Sequence, residues 1–507
     1  MDLVKRCLKK YNNFETKTTS KISDFYKKNK YLIKPFLILM IIYTIAYYPI
    51  FRANFNYLDD WNRAFTGIRS WENFSRYISN FLSIFIHTSS TLTDVSPLTQ
   101  FIAIIFLSFS GVVLLHLFKK DKISITSIIA CLLIGLNPYF LNCMFYKFDS
   151  PYMALSILAS VFPFLFFNKN KKYNVLFGMI NFIGTLIMCM TYQAASGIIP
   201  MVVLFLAYKY WNEKDNKNAI KILIVSAFSY LLGLLFFKIF IMIPVDDYVS
   251  NTLLPFNKII FGFIKNLKTY YWYVKSDFRF IWLLLFIIIT IFFIIKQIIQ
   301  SKQNKIYAIF ITFIFLIGLF SLAFGLYPTL EQPLFEPRAM YGFGFLMALV
   351  SLNTVNVKNP YVTKIFVLGL CYCFFAFSFT CGNALSEQNR YVNFRIESLL
   401  NGLNEIDIMR NNEKKTIKFI NNIGQSPVIE NMRYDYKKLM NRLINKKDAG
   451  FGHGGWANYK LKYYNKNDNI IVNNSINVPR DKFKVEKDTM YYKIESNGKD
   501  FIIITLK

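Results

Sequence analysis

Residues 31–51 read YLIKPFLILMIIYTIAYYPIF. Lys34 apart, nothing in the run is charged, and about 20 apolar residues is the length at which a helix crosses the hydrocarbon of a bilayer. Just beyond it come Asn56, Tyr57, Leu58, Asp59, Asp60, Trp61, Asn62 and Arg63. An acidic pair at the mouth of a membrane helix has two readings. It is a catalytic carboxylate held against the membrane surface, or it is a solvated loop where Asp costs nothing. Position alone does not separate them.

Working outward, the same apolar character recurs along the chain. Of 507 residues, 54% are hydrophobic and 53 are Phe, well beyond the usage of a soluble domain. Eleven apolar segments are expected to be membrane helices: 31–51, 98–118, 123–142, 151–167, 173–190, 193–210, 220–243, 278–296, 305–327, 339–356 and 361–382. The fold expected is mainly α, a polytopic membrane protein. The N-terminal arm (1–30) is rich in Lys, and every second connection after it is short and basic: 119–122, 169–172, 209–221, 296–305 and Lys358. The positive-inside rule then puts the N-terminus in the cytoplasm and, with an odd helix count, the C-terminus outside. The first apolar run follows a long basic arm and reads as a retained anchor, not a cleaved signal.

A net charge of +29 raises the question of nucleic acid. The Lys and Arg fall in short loops between apolar runs, where they act as topology signals and touch anionic headgroups, so no nucleic-acid partner is expected. Three His and seven Cys without paired spacing exclude a His-rich metal site or a zinc motif. Residues 383–507 change character and are expected to form a small extracytoplasmic α/β domain. It would hold an amphipathic helix over 387–410, with Leu399, Leu400, Leu403 and Ile406 on one face, and a hairpin whose strands, 491–495 and 501–505, flank Asn497-Gly498.

On this topology the polar clusters share the outer face. Beside Asp59 and Asp60 stands Tyr146-Lys147-Phe148-Asp149-Ser150-Pro151. Here Lys147 and Asp149 suit a buried pair, Lys147 suits a phosphate as a point charge, and Asp149 or Ser150 suits an N-cap ahead of Pro151. Tyr192-Gln193 suits a sugar hydroxyl or polar contact between helices. Arg338, after Glu336-Pro337, suits a phosphate clamp or a snorkelling side chain paired to Glu336. Arg63, Arg52 and Arg279 are weaker candidates of the same kind. Asp246-Asp247 reads as loop, Tyr270 to Tyr273 as an interfacial helix, and Gly450 to Trp456 as a flexible turn without the ending of a phosphate loop.

Four stretches carry a resemblance. They are Asp59-Asp60-Trp61-Asn62-Arg63 with Gly67 and Trp71; Asn137-Pro138-Tyr139-Phe140-Leu141 leading to Tyr146 through Ala154; Tyr192-Gln193-Ala194; and Pro337-Arg338. In order and membrane context the chain resembles the bacterial serotype-converting membrane glucosyltransferases (GtrII-like). Two departures stand out. That family usually shows Arg where this chain has Lys147, and its Gly-Arg-Pro-like stretch is replaced here by Arg76 without the glycine.

The resemblance implies a GT-C-type integral-membrane glycosyltransferase of the cytoplasmic membrane. It would move a hexose, glucose above others, from a polyprenyl-phosphate donor to a surface glycan such as the O-antigen of lipopolysaccharide. In that reading Asp59 or Asp60 is the catalytic base. Arg338, Lys147 and Arg63 bind the donor phosphate, and Tyr146, Asp149, Tyr192 and Gln193 shape the substrate site. It leaves room for a divalent cation on Asp59 and Asp60, and for a donor synthase and a flippase as partners. The alternatives are a flippase of lipid-linked sugars, or a polysaccharide polymerase or ligase.

Overall fold

The computed structural model describes residues 29–119, 123–171, 173–243, 252–355, 361–410, 413–444, 469–477 and 483–507. The basic arm over 1–28, Asp246-Asp247 and Gly450 to Trp456 lie outside the described residues.

The chain is mainly helical. In order it forms α1 (Ile33–Ala53), α2 (Asp60–Thr66), α3 (Tyr77–His87), α4 (Leu98–Lys119), α5 (Ile125–Cys131), α6 (Leu133–Leu136), α7 (Pro138–Phe145), α8 (Ser150–Val161), α9 (Val175–Cys189), α10 (Ile198–Asn212), α11 (Asn216–Phe236), α12 (Ile259–Asp277), α13 (Phe280–Gln300), α14 (Lys305–Leu322), α15 (Gly342–Thr354) and α16 (Tyr361–Glu405). The C-terminal unit adds β1 (Lys415–Ile420), α17 (Pro427–Leu443), β2 (Ile470–Val472), β3 (Lys484–Asp488), β4 (Tyr492–Ser496) and β5 (Phe501–Leu506).

Each of the eleven apolar segments is helical, but they are of two kinds. Among the described residues, seven helical stretches are long and apolar enough to cross a membrane: Lys30–Ala53, Leu98–Lys119, Gln193–Asn212, Asn216–Ile241, Phe280–Gln300, Lys305–Leu322 and Tyr361–Glu405. A further helix pair, Ile125–Leu136 and Pro138–Phe145, passes the same test only when taken together and is bent by 58°, as a broken span or a re-entrant loop is. Ser150–Phe166, Val175–Cys189 and Gly342–Thr354 are shorter, so length alone does not reach eleven crossings. The difference follows from position. On α13 only Trp282, Ile289 and Phe293 are buried, and Phe280, Ile281, Ile287, Ile291, Ile295 and Ile299 are exposed, as on a lipid-facing helix. In α15 every residue but Asn353 is buried. A rod of its length, about 20 Å, stands inside the bundle without having to match the bilayer's full thickness.

The bend has a local cause. Pro138 opens α7, where its missing N–H is no loss. The Asn137 side chain accepts from the N–H of Tyr139 (3.1 Å) and Phe140 (3.0 Å), and donates to the carbonyls of Leu133 (3.1 Å) and Ile134 (2.9 Å). One amide therefore caps both helix ends at the break, and it is fully buried. Helix α15 comes so close here that a Cβ on Gly344 would sit 1.9 Å from the Asn137 amide nitrogen.

Helix α16 runs for 45 residues. The stretch 361–382 and the expected helix 387–410 as far as Glu405, read separately in sequence, share this one rod, and Ile406 lies beyond its end. Its first part packs on α1, where Ser378 donates to the Ala46 carbonyl at 2.8 Å. Its last part presents Val392, Ile396, Leu399 and Leu403 to the core of the C-terminal unit, against Ile417, Phe419, Ile494, Ile502 and Ile504. The five-stranded sheet has the order β2-β1-β5-β4-β3. β1 pairs parallel with β2 and β5, and β4 pairs antiparallel with β3 and β5. The β4–β5 hairpin turns at Asn497-Gly498, with Gly498 at φ +74, where a side chain is disfavoured.

The basic connections gather at one end of the bundle. Lys119 donates to the Val355 carbonyl, and Lys296 to those of Asn353 and Thr354, which places cations at the negative end of α15. The polar clusters of the sequence meet at the opposite end.

Candidate active site

Asp59 and Asp60 have different surroundings. Asp60 opens α2 and is fully buried. One of its oxygens accepts the N–H of Tyr57 (3.1 Å) and of Lys147 (3.0 Å), and the other that of Phe148 (3.4 Å). The carboxylate thus closes its own turn and fastens it to the connection between α7 and α8. Burial pushes its pKa up to about 7, against the opposing pull of these amides and of Lys147 and Arg63. Asp59, one residue earlier, is half-buried, and its carboxylate has no hydrogen-bond or ion-pair partner among the described residues. It lies within electrostatic reach of the Tyr146 hydroxyl.

The cations sort in the same way. Arg63 forms a buried ion pair with Asp149, whose second oxygen accepts the indole N–H of Trp71 at 2.6 Å. The Arg63 guanidinium lies 4.4 Å from the centre of the Trp71 ring. Asp149 stands at the N-cap position of α8, yet its side chain makes no capping bond, since both oxygens are taken by Arg63 and Trp71. Lys147 reaches Asp94 at 2.9 Å and is itself buried. The Lys147–Asp149 pair suggested by the sequence does not form. Lys147 and Arg63, read from sequence as phosphate ligands, are each already neutralised by a carboxylate.

Arg76 is held differently. Its Nε donates to the Gln193 side-chain oxygen at 3.2 Å, and the Gln193 amide donates to the Phe74 carbonyl at 3.1 Å. The guanidinium lies 4.7 Å from the Tyr192 ring centre and 5.1 Å from that of Phe74. No carboxylate pairs with Arg76 among the described residues. Burial, with the like charges of Arg338 and Arg63 nearby, lowers its pKa from the usual arginine range. Arg338 lies 5.8 Å from the Tyr146 ring centre, and its backbone carbonyl accepts the Cys143 thiol at 3.8 Å. Tyr146 is buried and has Arg338 on one side and Asp59 within reach.

The structure therefore brings Asp59, Asp60, Arg63, Tyr146, Lys147, Asp149, Tyr192, Gln193 and Arg338 to one end of the bundle. Within that group a scaffold (Asp60, Arg63, Asp149, Lys147) is distinct from groups with unspent charge (Asp59, Arg76). The sequence marks Arg76 only as the residue in place of the family's Gly-Arg-Pro-like stretch, because the groups that define its setting, Gln193 and Tyr192, come from a distant part of the chain. No group of three or more His, Cys, Asp or Glu suited to a metal is assembled among the described residues. Backbone amides already take three of the acceptor sites of Asp60.

A carboxylate free to take a proton, close to Arg76, which pairs with no carboxylate among the described residues, suits transfer onto a hydroxyl with an anionic leaving group. The chain is 25% identical over 442 residues to an uncharacterised 55.3 kDa protein from the gtrB 5′ region of Salmonella phage P22, covering 83% of this chain and 88% of that one. No solved structure matches. Residues 48–349, which contain every candidate residue above, match the model of the glucosyl transferase GtrII family. The chain belongs to that family and is a glycosyltransferase.

Proposed function

We propose that the protein transfers glucose from a polyprenyl-phosphate donor to a surface glycan such as O-antigen, on the extracytoplasmic face of the bacterial cytoplasmic membrane. The observation that carries this is the juxtaposition of Asp59, whose carboxylate has no hydrogen-bond or ion-pair partner among the described residues, with Arg76 and Arg338 around Tyr146 and Tyr192. The acceptor hydroxyl attacks the anomeric carbon. The new glycosidic bond forms as the bond from that carbon to the phosphate oxygen breaks, and polyprenyl phosphate leaves. Asp59 takes the hydroxyl proton. Arg76 and Arg338 stabilise the charge that grows on the leaving phosphate. Asp60, the Arg63–Asp149 pair and the Lys147–Asp94 pair hold the loops that carry these groups, and Tyr192 and Gln193 aim Arg76.

The basic end of the bundle supports a topology with the N-terminus in the cytoplasm and the C-terminal unit outside. In this reading the broken span and the three short helices count as crossings, which gives eleven. The test is transfer in proteoliposomes carrying the purified protein, polyprenyl-phosphate glucose and an O-antigen acceptor. One added glucose per site is expected. Formation of a longer polymer, or flipping of the donor without transfer, would overturn the proposal.

A further inference from the structure

Helix α17 lies beyond the residues matched by the family model, yet its last turn touches both loops of the candidate site. Tyr57, two residues before Asp59, donates its hydroxyl to the Leu443 carbonyl at 2.8 Å. That carbonyl stands at the helix end, where no intrahelical donor remains. The neighbouring residue, Arg442, reaches the other loop. Its guanidinium donates to the carboxylate of Asp277, to the carbonyl of Phe335 and to the sulfur of Met340 at 3.4 Å. Phe335 and Met340 stand on either side of Arg338 in the chain.

The anchor of this fork is itself fixed. Asp277 ends α12, is buried, and also accepts the Tyr139 hydroxyl at 2.9 Å. The guanidinium lies 4.2 Å from the Tyr273 ring centre, so its plane is held from a third direction. Three acceptors arranged around one planar fork suit arginine and do not suit lysine.

We propose that Arg442 is a positioning residue for Arg338, and that the last turn of α17 makes the C-terminal unit a working part of the donor site. This rests on the reading of Arg338 as a ligand of the donor phosphate. It places one turn of helix between the loop of the proton acceptor and the loop of the phosphate ligand, so the two are set by a common support.

The experiment measures steady-state transfer in proteoliposomes for Arg338→Met, Arg442→Met and their combination, with donor and acceptor varied separately. Arg442→Met is expected to raise the donor KM at least about tenfold while the acceptor KM stays within about twofold, and Arg442→Lys is not expected to rescue it. The combined variant is expected to be no worse than Arg338→Met alone. If Arg442→Met does not accumulate as folded protein, Asp277→Asn and the Asp277→Asn/Arg442→Met pair, which leave no unpaired buried carboxylate, are read in the same way. A smaller active fraction with unchanged donor KM contradicts the proposal, as do independent, multiplying losses in the combined variant. Donor KM moved by Arg338→Met but not by Arg442→Met overturns this inference alone. No effect of Arg338→Met overturns both it and the phosphate reading.

Discussion

The carboxylate of Asp60 accepts the backbone N–H of Lys147 at 3.0 Å, across 87 residues of sequence. With the amides of Tyr57 and Phe148 it makes one side chain the fastening between the loop after α1 and the turn before α8. A carboxyl group so enclosed serves the fold before it serves chemistry.

Asp60→Ala leaves three backbone donors without an acceptor, two of them on a distant loop. An unsatisfied buried donor costs ~1–3 kcal/mol, so a loss of about 3 kcal/mol or more is expected, read as a lower melting temperature in detergent. The pH dependence has a definite sign. The folded pKa is raised from 3.8 to about 7, so the contribution is fully present below the unfolded value and is lost as pH rises through the folded one. Between pH 4 and 7 the wild type should lose stability relative to Asp60→Asn. Parallel curves for the two proteins would contradict this.

The Arg63–Asp149 pair is buried on both sides. Asp149→Ala strands a guanidinium and is expected to cost ~3–5 kcal/mol. Arg63→Met/Asp149→Leu removes both charges and should cost clearly less than the sum of the two single changes. Thermal denaturation of the four proteins in a double-mutant cycle reads the coupling. Additive losses would show that the pair is not a unit.

Arg76 has its aim set by Gln193 and Tyr192. Arg76→Gln should raise the donor KM by about tenfold or more with little change in melting temperature, because no carboxylate is left unpaired. Gln193→Ala should do the same to a smaller degree. Donor titration of the purified variants measures both, and unchanged KM in Arg76→Gln would remove it from the phosphate site.

At the break between α6 and α7, Gly344 admits the Asn137 amide. A Cβ at Gly344 meets the side-chain nitrogen at 1.9 Å. Gly344→Ala should therefore destabilise by ~1–3 kcal/mol through overpacking, and Asn137→Ala by a comparable amount through lost caps. Wild-type stability in Gly344→Ala would show that the helices separate at no cost.

The sequence shows the helical bundle clearly, because long apolar runs have few other outcomes. It shows the polar clusters gathering at one end too, since the alternation of basic connections sorts the loops. Partnerships are a different matter. Arg63 and Asp149 are 86 residues apart and Lys147 and Asp94 are 53 apart, and nothing local says which cation meets which carboxylate. Asp59 and Asp60 are the same residue type side by side, and only the fold of the following loops turns one inward. The 45-residue α16 has a change of composition near 382 without a change of structure. Gly382 does not end it, because there the helix presses against Pro49 of α1, where a Cβ would lie 2.4 Å from the Pro49 ring.

The central claim is that Asp59, not Asp60, takes the proton. A positioned general base contributes ~10²–10⁴-fold to a rate. The direct measurement is single-turnover transfer by purified Asp59→Asn, with donor saturating and folding checked by melting temperature. The account predicts a fall of at least about 100-fold in rate with a wild-type melting temperature and a donor KM within about threefold. A near wild-type rate in Asp59→Asn, with the rate lost instead in a fully folded Asp60→Asn, would contradict it.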